Sequence, residues 1–111
     1  MEILKQSRNF EKKELFKITN DNHLLLKNLP DDTIVNVVDY VSYKTDDNKV
    51  IAVMWHVNEE TGETVSIATS SPSVIRIIES ASDFLETYNL QYKLTRGKSK
   101  AGRTYMNFEL V

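Results

Sequence analysis

The stretch SSPSVIRIIESASDFLETY, residues 70–88, is where the periodicity of the chain changes. On either side apolar residues tend to alternate with polar ones. Within it Val74, Ile77, Ile78, Ala81, Leu85 and Tyr88 recur at helical spacing, so the pattern predicts a helix over 70–88. Ser71 suits the N-cap, Pro72 suits the first helical position, and Asn89 can end the helix. Arg76, Glu79, Ser80, Asp83 and Glu86 fall towards the opposite side.

Upstream lie three β-rich runs: TIVNVVDYVSYKT (33–45), VIAVMWHV (50–57) and TVSIATS (64–70). They are dense in Val, Ile, Thr and Tyr and are separated by the turn-forming DDNK (46–49) and NEETGE (58–63). Downstream, LQYKLT (90–95) and TYMNFELV (104–111) alternate, with Leu90, Tyr92 and Leu94 on one face and Met106, Phe108 and Leu110 on one face. The order strand, strand, strand, helix, strand, strand predicts a mainly β, OB-fold-like, five-stranded, partly open barrel, with one helix between strands 3 and 4. The competing layout is an α+β sheet with the helix packed across one face.

The barrel core is expected over 33–111. Ahead of it, residues 1–14 read as an arm or a short helix. LFKIT (15–19) and HLLLKNL (23–29) flank NDN, which predicts a hairpin over 15–29. LPDD (29–32) breaks the chain before the core. The whole of 1–111 is expected to be one domain, which its length suits.

Lys and Arg number 14 against 16 Asp and Glu, a formal net charge of −2, and there is no cysteine. That balance argues against gripping duplex nucleic acid by bulk charge. Lack of cysteine removes disulfides and thiolate metal sites and fits a reducing cytoplasm. No run approaches the ~20 apolar residues of a membrane span, and the charged N-terminus does not read as a signal peptide. A cytoplasmic protein with no membrane role is expected. Catalysis finds little support. His23 and His56 each stand alone, without metal-ligand spacing. TGET and KAGRT match no phosphate or dinucleotide loop. Ser70, Ser71 and Ser73 read as helix-start residues without an activating base. No enzyme, metal or cofactor is expected.

Binding is the better reading. TRGKSKAGRTY (95–105) holds Arg96, Lys98, Lys100 and Arg103, no acid, and two of the three glycines. It reads as the tip of a hairpin joining the last two strands. In an OB barrel the loop between strands 4 and 5 borders the ligand face of strands 2 and 3. Cations there would meet phosphates; a solvated, idle lysine-rich tip is the bland alternative. Lys44 and Lys49 flank the other rim loop, where Asp46 and Asp47 weaken the patch. Single-strand binding also needs rings on which bases stack. Tyr40 and Tyr43, Trp55 and Tyr105 are the candidates. Tyr40 and Tyr43 have opposite parity, so one of them at most serves unless a bulge intervenes. Trp55 shares a face with Ile51, Val53 and Val57, which favours burial. Tyr105 opposes Met106 and Phe108 and should face out. Phe84, Tyr88, Tyr92 and Phe108 read as core.

The ending GKSKAGRTYMNFEL (97–110) resembles that of small single-stranded DNA-binding proteins of bacteriophages, in which a SKxGR turn leads into a last strand of aromatic and apolar alternation. TSSPSVIRIIESASDFLE (69–86) and ELFKIT (14–19) resemble other parts of that family more loosely. The resemblance implies an OB-like fold and oligomeric coating of single-stranded DNA in phage replication or recombination, inside the bacterial host. It carries over most directly to Lys98, Lys100 and Arg103. Expected partners are single-stranded DNA or RNA, a second copy in a dimer, and replication or recombination proteins. The rival reading is a small phage or mobile-element protein-interaction module that binds no nucleic acid, recruiting its partner by strand addition along an exposed edge.

Overall fold

A computed structural model describes residues 1–81 and 89–111. The chain runs β1 (Glu2–Gln6), α1 (Lys12–Asn20), β2 (Leu24–Leu25), a 3-10 turn (Leu26–Asn28), β3 (Ile34–Lys44), β4 (Val50–Val57), β5 (Thr64–Thr69), α2 (Pro72–Ala81), β6 (Leu90–Lys98) and β7 (Thr104–Leu110). The strands form one curled half-barrel sheet in the order β2-β5-β4-β3-β6-β7, and β1 pairs with β3. Pairing is antiparallel except between β2 and β5. Among the described residues there are seven strands rather than five. The predicted helix is described from Pro72 to Ala81; its continuation, with Phe84, Leu85 and Tyr88, lies outside the described residues.

β3 organises the sheet because it is long enough to serve three neighbours. Its first half, Ile34 to Val37, pairs with β6; its second half pairs with β4 on one side and β1 on the other. A bulge against β4 falls between Val37 and Asp39, where the other edge passes from β6 towards β1. The extra residue flips the alternation, so Val35, Val37 and Tyr40 all enter the same inner cluster while Val41 and Tyr43 enter an outer one. Burial of both faces explains why the run 33–45 shows almost no polar alternation.

The inner cluster fills the concave side. Val74, Ile75 and Ile78 of α2 pack there with Met54, Leu94 and Phe108. Tyr92 stacks on Phe108 with centroids 5.2 Å apart. Both rings are buried, as their alternation predicts.

The outer cluster comes from the N-terminal segment, and here the sequence reading is corrected. Residues 1–14 are neither an arm nor simply a helix: Glu2–Gln6 is a strand on β3. Residues 15–29 are not a hairpin, because Lys12–Asn20 is helical. The Glu11 amide donates to Glu14 Oε1 at 3.1 Å, capping the first turn. NDN ends the helix instead of turning a hairpin: the Asn20 side-chain amide and the Asp21 backbone amide donate to Phe16 and Lys17 carbonyls at 2.8 and 2.7 Å. Leu15 and Ile18 face the sheet, whereas Phe16 is 70 % exposed.

Candidate nucleic-acid interface

The basic stretch is the tip of the β6–β7 hairpin. The Ser99 amide donates to the Arg103 carbonyl at 2.8 Å and the Gly102 amide to the Ser99 carbonyl at 2.9 Å. Gly102 sits at φ +79, the left-handed conformation that a glycine bulge after a tight turn requires. Lys98, Lys100 and Arg103 are exposed there, with no ion-pair partner among the described residues.

Arg96 is different. Its guanidinium pairs with Asp31 and donates to the carbonyls of Lys27 (3.0 Å) and Leu29 (2.6 Å), and its side chain is only 21 % exposed. It clamps the loop ahead of β3 onto β6. That role takes three of its five N–H donors, both of those on Nη2 among them, so Arg96 belongs to the frame of the site.

Tyr105 faces out, as its parity predicts, and is 49 % exposed. It lies opposite Gly97 in the ladder. A Cβ at Gly97 would stand 2.8 Å from the Tyr105 hydroxyl, so the ring lies across the bare backbone of that glycine. This accounts for a glycine inside a strand: it lets the ring lie flat, with one side towards solvent. Lys98 has the parity of Arg96 and the buried Leu94, so it leaves the ribbon on the other face from Tyr105. Below the tip a cavity of about 420 Å³ separates the start of α2 from β7, lined by Lys27, Ser71, Ser73, Arg96, Thr104 and Tyr105. Ser73 Oγ donates to the Met106 carbonyl at 2.6 Å and holds this seam at a fixed width. Lys27 falls within 15–29, the stretch expected to be a hairpin, so the sequence alone gives it no place at this site; the structure puts it in the 3-10 turn.

The other expected site residues do not join this group. Tyr40 is fully buried in the inner cluster and Tyr43 is 7 % exposed in the outer one. Burial raises both phenols above their ordinary range. Neither ring is available for stacking; the bulge places both in cores rather than freeing one. Lys44 ends β3, ten residues from the Ile34–Lys93 pair, about 33 Å of strand. The tip continues from Lys93 in the opposite direction, so Lys44 and the tip sit at different ends of the sheet.

Trp55 is half-buried and already covered. Phe10 stacks on it at 5.4 Å, and the Arg8 guanidinium lies 4.1 Å above the Phe10 ring. Arg8 donates to both oxygens of Glu14 (3.2 and 2.8 Å) and through Nε to Asp39 (3.3 Å). These bonds raise the Arg8 guanidinium further above its ordinary value, with Glu14 the largest cause. Ser7 completes the anchor: its backbone amide donates to the Tyr40 carbonyl, its Oγ to Asp39, and the Tyr40 amide to its Oγ. The expected ligand face of the second and third barrel strands, here β4 and β5, therefore carries a layer of the chain's own making. The start of α1 had a signal in the sequence, the Glu11/Glu14 interval of a capped helix; that interval does not announce the pairing of Glu14 with Arg8.

The two histidines are structural links. His23 Nε2 lies 2.7 Å from the Ile18 carbonyl and so carries the proton; Nδ1, 2.6 Å from Ser66 Oγ, then accepts from that hydroxyl. His56 Nδ1 accepts from the Asn36 amide at 2.8 Å. No helix of the described residues is long and apolar enough to cross a membrane. No protein-family model, no curated protein and no solved structure matches the chain.

Proposed function

We propose that the protein binds single-stranded nucleic acid without catalysis, on an OB-like half-barrel, at the β6–β7 hairpin. The pairings of β3 with both β4 and β6, of β4 with β5 and of β6 with β7 support the OB-like reading. The observation that carries the function is the tip itself: three cations without acids at the end of a ribbon that carries an outward tyrosine ring, backed by glycine, on the face opposite Lys98. Lys98, Lys100 and Arg103 would neutralise phosphates, releasing counterions. The open side of Tyr105 would take one base, a contact worth about 1–3 kcal/mol. Lys27 at the seam extends the cationic path. Tyr40, Tyr43, Lys44 and Trp55 have no part in it, and Arg96 acts by holding the ribbon.

The test is oligo-dT binding by anisotropy across a salt series. Replacing Lys98, Lys100 and Arg103 by alanine should weaken binding to every sequence alike and flatten the log–log salt slope by about 0.7 per cation removed. Unchanged affinity at low salt would remove the site. One observation favours a second reading, a protein-interaction module: Phe16 is 70 % exposed beside a cavity of about 490 Å³ lined by Leu15, Tyr43 and Ile51. Silence towards both DNA and RNA oligonucleotides at low salt would favour that reading.

A further inference from the structure

We propose that the acidic β4–β5 turn is a docking site for the basic β6–β7 tip of a second copy of this chain. Glu59, Glu60 and Glu63 are exposed in residues 58–63 and make no ion pair with a cation among the described residues. Beside the turn is a concavity of about 360 Å³, lined among others by Ile34, Asn36, His56, Glu59, Glu60 and Gln91. Asn36 is only 3 % exposed, yet its Oδ1 has no donor. Its Nδ2 makes only long contacts, 3.4 Å to the Val57 carbonyl and 3.4 Å to Glu59 Oε1. Glu59 Oε1 accepts one more bond, from Gln91 Nε2 at 3.2 Å, and that donor is also neutral. The turn thus presents carboxylates beside a wall in which the Asn36 amide oxygen is shut off from solvent and unsatisfied, and it lacks a cation.

The tip supplies the complement: three cations without acids on a narrow convex turn. Within one chain the two cannot meet. Gln91 marks the acidic end of β6 and Lys98 the basic end, seven residues or about 23 Å apart. Between copies, tip into pocket is a contact of two different surfaces. Such a contact repeats head to tail and builds a ring or an open chain, where the sequence reading expects a dimer. The same cations serve the proposed nucleic-acid site, so occupancy of the tip by a strand and by an acidic turn exclude one another.

The experiment is sedimentation of the full chain without nucleic acid, at low salt and in about 1 M salt, where the Debye length falls to ~3 Å. Wild type should sediment at twice the monomer mass or more at low salt and as monomer at high salt. Glu59→Lys with Glu60→Lys should be monomeric at both salts, as should Lys98→Glu with Lys100→Glu, and an equimolar mixture of the two should associate again. Glu60→Lys alone, at a side chain with no hydrogen bond or ion pair among the described residues, keeps the test valid if the double variant misfolds: it should raise the dissociation constant at least tenfold. A wild type that is monomeric at low salt, or that associates equally well in all variants, overturns the proposal. Either result leaves the oligonucleotide titration to be judged separately.

Discussion

The two faces of the sheet are built by different rules. The inner face is a core of aliphatic and aromatic side chains from α2 and the strands. The outer face over β3 and β4 is covered by a thin N-terminal layer held by charge: Arg8 bridges Glu14 and Asp39, and its guanidinium caps the Phe10–Trp55 stack. Stabilisation by apolar burial scales with the area removed from water and involves no charge to be screened or titrated. A partly exposed ion pair is worth little alone and depends on both. The barrel and its outer layer should therefore come apart under different conditions. A surface that carries a cation over two rings is also a poor place to seek free stacking platforms, however aromatic the sequence looks.

The largest effect should come from breaking the inner face. Leu94 is fully buried on β6, and Leu94→Ala should cost about 2–5 kcal/mol in chemical denaturation, because the rigid surroundings leave a cavity. On the outer face, Phe10→Ala removes a ring that is 8 % exposed, from a layer only one segment thick. Its cost should fall below the ~3–5 kcal/mol usual for a buried phenylalanine, since local opening can relieve it before the barrel unfolds. The signature is spectroscopic: emission of Trp55, the single tryptophan, should shift to the red in Phe10→Ala and stay in place in Leu94→Ala under native conditions. A loss from Phe10→Ala as large as that from Leu94→Ala would mean one cooperative core and remove the distinction.

Legibility in the sequence divides along the same line. Tyr92, Leu94 and Phe108 announced their burial because each belongs to a strand with one buried face, where alternation is a direct report. β3 hid its sidedness, since a bulge shifts the parity between Val37 and Asp39 and both faces are covered. Alternation therefore leaves Tyr40 and Tyr43 as candidate platforms, whereas each belongs to a core. The N-terminal helix is weakly signalled because its nine residues give only two and a half turns of periodicity, and Phe16, Ile18 and Thr19 favour strands on propensity alone. Of the site, the cations and the outward Tyr105 were legible from turn chemistry and parity. The commitment of Arg96 to Asp31 was not, since 65 residues separate the partners.

Acidification should separate the two faces most finely. The Glu14 carboxyl is held below the ordinary carboxylate range, first by hydrogen bonds from the Arg8 guanidinium and next by the Glu11 amide. Its folded-state value is thus lower than its unfolded one. The stabilisation is full above the unfolded carboxylate value and is lost as pH falls through the lowered one. Since Glu14 is both the cap of α1 and the partner of Arg8, its protonation should loosen the helix and the cation over Phe10 while the inner core stands. Trp55 emission should therefore change on the acid side of the carboxylate range, before far-ultraviolet dichroism reports loss of the strands. Glu14→Gln should show part of that emission change already at neutral pH and a smaller acid step. If Glu14→Gln keeps the wild-type acid profile, the outer layer is held by apolar contact from Leu15 and Ile18, and the charge network is incidental to it.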